Sequence, residues 1–147
     1  MFVYDPSNNP LNTIEWAFPV AECMHILGFA MAIGTITVVD LRLLGLSLRK
    51  VSPAELVKQT TPWTLIGLAA VLISGPALFS TDPYMYIYNP SFQFKMAAFL
   101  LGLIFNYTIH YKVAKSGSSP ILAKLVGAVS LAVWVSVVAG GIFIGFV

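Results

Sequence analysis

Charge is scarce in this chain of 147 residues: Asp, Glu, Lys and Arg make up 10% of it, against 58% hydrophobic residues. A soluble domain carries about 25% charged residues, so an ordinary water-facing surface is excluded. Cysteine occurs once, as Cys23 inside an apolar run, which excludes a disulfide framework and a thiolate metal cluster. No glycine-rich phosphate loop, zinc-ligand spacing or nucleophile motif is present. The pI near 8.8 comes from a few loop residues and does not point to nucleic acid. Residues 1–12 lack Lys and Arg. A secretory leader needs a basic start, so the first apolar segment is expected to be retained.

What the chain does have is length of apolar run. A bilayer crossing takes about 20 predominantly apolar residues, and four segments qualify, roughly 14–39, 62–80, 91–113 and 120–146. The expectation is an all-α integral membrane four-helix bundle forming one domain over 1–147. Ser52-Pro53-Ala54-Glu55 has the form of a capping box with proline at the first helical position. It predicts a short cytoplasmic surface helix over 53–59, and Thr61-Pro62 then starts the second span. Trp16, Trp63 and the alternating Tyr84, Tyr86 and Tyr88 suit the headgroup level.

Of the eight basic residues, Arg42, Arg49, Lys50, Lys58, Lys112, Lys115 and Lys124 fall at one end and Lys95 alone toward the other. The positive-inside rule then places both termini outside. The expected location is a bacterial inner membrane, with the termini in the periplasm of a Gram-negative host.

Polar groups inside the spans are costly and mark function or pairing. The third span carries Lys95, Ala98, Gly102, Asn106 and His110 at helical spacing, one small or polar face from end to end. The first carries Glu22 and His25, then Gly28, Ala32 and Thr35. Facing each other, these stripes predict a Glu22–Lys95 ion pair in the outer half. They also predict a gap at Gly28 and Gly102 able to admit a flat ligand. On the fourth span, Ala128, Ala132, Ser136 and Gly140 predict a small-residue packing face.

Two histidines suggest a bis-histidine haem, but depth separates them. At the helical rise, His25 lies about 14 Å and His110 about 27 Å below the outer surface. The candidate cofactor site is therefore His25 as a single axial ligand to haem b, with Met96 or Met24 as a second. Glu22 and Lys95 would form its polar rim, and Gly28 and Gly102 would give it room. A quinone is the alternative occupant, and a neutral packing imidazole the plain one. A second polar site gathers His110, Asn106, Asp40 and Arg42 near the inner surface, where His110 can simply be satisfied by Asp40 or Arg42.

The run His25-Ile26-Leu27-Gly28, then Gly34-Thr35, Asp40-Leu41-Arg42-Leu43-Leu44-Gly45 and Pro62-Trp63 resembles a family of small bacterial four-helix inner-membrane proteins. Asn89-Pro90, Lys95-Met96, Asn106 and His110 fit the same pattern. That family is labelled only as a domain of unknown function. More distantly, the chain is similar to copper-resistance D proteins and HemJ-type protoporphyrinogen oxidases. This likeness implies haem or porphyrin chemistry for His25 and Lys95 alone.

Three functions follow as expectations. The first is a small redox subunit binding haem b or a quinone and passing electrons to a periplasmic or membrane partner. The second is an anchoring or assembly subunit without a cofactor. The third is a metal or small-solute permease using Glu22, Met24 and His25.

Overall fold

The computed structural model describes residues 4–146. Four helices are long and apolar enough to cross a membrane: α1 (Ala17–Leu43), α2 (Pro53–Phe79), α3 (Pro90–Ser116) and α4 (Pro120–Phe146, its last turn 3-10). Each has 27 residues, or about 40 Å at the helical rise, more than the roughly 30 Å of hydrocarbon to be crossed. Among the described residues there is no strand.

Proline and hydroxyl or amide caps open three of the four. Ser52, Asn89 and Ser119 each accept a backbone N–H from the first turn, and Pro53, Pro90 and Pro120 follow them. A proline there forfeits a donor that has no intrahelical partner anyway. Gly117, at φ +62°, ends α3 in the left-handed conformation that only glycine adopts cheaply.

The separate surface helix expected over 53–59 does not form. Those residues are the first turns of α2, which runs on through Pro62 and Pro76. The cost of proline inside a helix is a lost donor and a crowded carbonyl. Here threonine hydroxyls bond the surrounding carbonyls: Thr60 Oγ1 to Leu56 O at 2.8 Å, Thr61 Oγ1 to Val57 O at 2.5 Å and Thr64 Oγ1 to Thr60 O at 3.0 Å. Ser52 does cap this helix, but Glu55 bonds Gln59 at 2.8 Å and does not close a capping box.

The N-terminal segment folds back on the end of α2. A short helix, Pro10–Thr13, precedes α1. Asn9 reaches Ser80 Oγ at 2.8 Å, Asn12 reaches the Thr81 carbonyl at 2.9 Å, and Tyr4 bonds the Ser80 carbonyl. The stretch carrying Tyr84, Tyr86 and Tyr88 is also a short helix, Pro83–Tyr88, capped by Asp82. Tyr86 packs on Phe79 and Phe92, while Tyr84 and Tyr88 stay exposed. We call this the aromatic end and the other the basic end. At the basic end Arg42 does not reach toward His110. Its Nε donates to the Val51 carbonyl at 2.5 Å and holds the loop between α1 and α2.

The helices pack chiefly as two antiparallel pairs, α1 with α2 and α3 with α4, and α1 also runs along α4. The first pair is in very close contact. A Cβ on Gly67 would lie 2.6 Å from the Gly28 carbonyl oxygen and 2.7 Å from the Ala32 nitrogen. Such backbone approach is how helices associate where no hydrophobic force separates them from lipid. One apolar cluster joins Ala32, Ile36, Leu68, Val71, Phe99, Trp134 and Val137. A second joins Val39, Leu43, Leu56, Val57, Val113, Ala114 and Val126 toward the basic end.

On α4 the buried face is Gly127, Ser130, Trp134, Val137 and Gly140. The expected small-residue stripe is displaced from it. Gly140 packs inward on Lys95, but Ala128 and Ala132 are exposed and Ser136 half-buried.

Candidate functional site

The α1–α2 contact decides where His25 points. With Gly28 and Ala32 against Gly67, the same antiparallel register sets Thr35 Oγ1 2.8 Å from Thr64 Oγ1 and His25 Nδ1 2.8 Å from Ser74 Oγ. The stripe of α1 thus lies on α2, not across the bundle on α3. Ser74 Oγ gives its hydrogen to the Ala70 carbonyl at 2.7 Å. It therefore accepts from His25 Nδ1–H, and the lone pair falls on Nε2. The imidazole also has a hydrogen bond to the Val71 backbone.

Phe29, one turn along α1, meets the His25 ring edge-on at 5.0 Å between centroids. Over the same Phe29 ring, 4.9 Å from its centroid, lies the Lys95 ammonium. The lysine stem rests on Gly140 and Gly141 of α4, where any Cβ would crowd it at 3.0–3.3 Å. Lys95 has no carboxylate partner among the described residues, whose one ion pair lies elsewhere. The expected Glu22–Lys95 pair is absent because Glu22 projects from the exposed face of α1. The cation is held by the ring quadrupole and has donor capacity to spare.

The second polar group is at the other end. Asp40 and Ser130 are fully buried and His110 is 3% exposed. Asp40 Oδ1 is 2.7 Å from His110 Nε2, and Ser130 Oγ donates to Asp40 Oδ2 at 3.0 Å. A π stretch, Asn106–His110, carries the histidine. Such widened turns occur mostly singly and often at functional sites. Ser130 was not among the sequence candidates; its signal was a hydroxyl four residues before Trp134, one of two with Ser136 on the apolar α4. Asn106 and the Trp134 indole are also buried, and neither side chain has a hydrogen bond among the described residues. Rings link the two groups: Phe29 to Phe99 at 5.6 Å and Phe99 to Trp134 at 6.1 Å.

Residues 15–147 match a family described as of unknown function, DUF6644. The chain belongs to the DUF6644 family. No curated protein and no solved structure matches it. None of these comparisons supports the expected likeness to copper-resistance D and HemJ-type proteins.

The DUF6644 chain does not fit a haem seated inside one bundle. Gly28 is closed off by the Gly67 carbonyl and Val71, and Gly102 by Trp134, whose ring atoms would lie 3.3–3.4 Å from an added Cβ. The room expected at these glycines is already filled by helix packing. Met96 and Met24, 46% and 38% exposed, point out of the bundle. Among the described residues no three His, Cys, Asp or Glu side chains gather for a metal ion. What remains of the expected site is His25 and Lys95, now with Phe29, Ser74 and Gly75. The Gly75 position lies 3.3 Å from the imidazole Cε1. Of the expected second site, His110 and Asp40 are bonded, Asn106 is buried nearby on α3, and Arg42 is engaged with its loop.

Proposed function

We propose that this chain is a membrane redox subunit that binds the head group of a lipid-soluble quinone through His25 and Lys95. The observation that carries the reading is an imidazole and an ammonium without a carboxylate partner, both against one aromatic ring inside an apolar bundle. A quinone offers two carbonyl oxygens at opposite edges of a flat ring. Lys95 would donate to one, and in the quinol form the other hydroxyl would donate to His25 Nε2.

Oxidation of the quinol releases two electrons and two protons. The electrons would pass to a redox centre of a periplasmic or membrane partner subunit. His25 would take the protons in turn and hand them to water at the aromatic end. In this reading the basic end faces the cytoplasm of a bacterial inner membrane and both termini face the periplasm, as the grouping of basic residues supports.

The test is titration of the purified protein, in lipid nanodiscs, with a short-tailed ubiquinone or menaquinone analogue, read by tryptophan quenching. His25→Ala and Lys95→Ala are each expected to weaken binding tenfold or more, a loss of about 1.4 kcal/mol per decade. Binding that neither variant changes overturns the proposal. A Soret band lost with His25→Ala would bring back haem b, held outside one bundle. A second reading, a cofactor-free assembly subunit, is favoured by the uncovered Ala128 and Ala132 on α4, against which a partner helix can lie closely. A preparation that binds no quinone yet co-purifies with another membrane subunit, and loses it with Ala132→Leu, would support that reading instead.

A further inference from the structure

We infer that Asp40, His110 and Ser130 form a buried proton-binding site, loaded from the basic end of the bundle. The inference does not depend on the quinone reading, since it concerns a different set of side chains at the other end. Its basis is charge in a place that tolerates little of it. Asp40 is fully buried and its two oxygens are both engaged, by His110 and Ser130. With the histidine neutral and the aspartate ionised, the cluster carries a net negative charge in an apolar interior, which is costly. One added proton makes it neutral overall, whether the proton sits on His110 or on Asp40.

The step balances simply. A hydronium ion gives its proton to His110 Nδ1 and leaves water. The Nε2–H bond can then break as an O–H bond forms on Asp40 Oδ1, 2.7 Å away. Net, the cluster gains one proton, and release is the reverse.

The surroundings leave this work to the cluster. On α1, Arg42 is turned to the Val51 carbonyl. From α2 come buried Leu56 and Val57, packed near Val39 and Leu43, while Lys58 is exposed. On α3, Lys112 and Lys115 are exposed, and on α4 so is Lys124. These cations stand outside the cluster, where they favour its anionic form without pairing with it. His110 Nδ1 has no hydrogen bond among the described residues. The π stretch ends at His110 with the Tyr111 N–H bonded to the Asn106 carbonyl, adding a residue to the turn that carries the ring. One turn deeper, the Asn106 amide and the Trp134 N–H extend the polar track toward the middle of the bundle.

The chain has two histidines, so His25→Gln leaves His110 as the only imidazole. The experiment is nitrogen NMR of histidine-labelled His25→Gln protein in lipid nanodiscs over roughly pH 4 to 10, a range that brackets ordinary histidine values. The expected result is a one-proton titration of the His110 ring. Asp40→Asn should move its midpoint by about one pH unit or more, a tenfold change in proton affinity, and Ser130→Ala by less. Ring signals constant across the range overturn the inference and leave a fixed structural pair. So does a titration that neither variant moves. If Asp40→Asn does not fold, Ser130→Ala and the infrared band of a protonated carboxyl, followed over the same range, decide between the two outcomes.

Discussion

Gly67→Ala is expected to destabilise the bundle by about 2 kcal/mol, within the usual range for forcing an extra methyl into a packed contact. The added Cβ would meet the Gly28 carbonyl oxygen at 2.6 Å and the Ala32 nitrogen at 2.7 Å. Both are backbone atoms, so no side chain can turn aside and α1 and α2 must separate. Alanine regains about 1 kcal/mol of helix propensity, and the observed loss is what remains after that gain. Separation also stretches the His25–Ser74 and Thr35–Thr64 bonds, which depend on the same register. Gly34 is the control, because a Cβ there meets nothing within 4 Å; Gly34→Ala should be neutral or stabilising by up to about 1 kcal/mol. Unfolding in mild detergent would measure both. Equal stability of the two variants would refute close backbone packing at Gly67.

Asp40→Ala should cost still more, about 2–6 kcal/mol, at about 1–3 kcal/mol for each of the two buried donors it leaves unpaired. It strands the His110 Nε2–H and the Ser130 hydroxyl together beside the buried apolar residues Val39, Leu43 and Val126. Asp40→Asn keeps an oxygen acceptor and the volume, and should lose only about 1 kcal/mol, the net value of one hydrogen bond. Thr35→Val serves for scale. It removes a hydroxyl pair between α1 and α2, and hydrogen bonds between membrane helices average about 0.6 kcal/mol. An Asp40→Ala protein no less stable than Thr35→Val would show that Asp40 contributes little to holding the helices together.

The membrane class and the four helices were legible in composition and run length, because bilayer thickness imposes both. The polar face of α3 was legible too, since helical spacing puts Lys95, Gly102, Asn106 and His110 on one side and all four are buried or half-buried. Which helix that face meets was not. Spacing gives a face but not a neighbour, and the choice of α2 as partner for His25 depends on how closely Gly67 lets two backbones approach. The prolines of α2 misled for a related reason. Thr61-Pro62 reads as a helix start, and only the threonine hydroxyls around it let the helix continue. Ser130 had no neighbouring pattern to mark it, and its importance comes entirely from Asp40, 90 residues away in sequence.

The pairwise packing of the helices has a consequence in time. As the chain leaves the ribosome, α1 and α2 can enter the bilayer and close on each other at Gly28 and Gly67 before α3 exists. At that stage Asp40 has neither His110 nor Ser130, both of which belong to the later hairpin. The first hairpin would carry its carboxylate unprotected at the membrane edge until the second arrives. An unassembled half is thereby marked by exposed charge, and completing the bundle hides it.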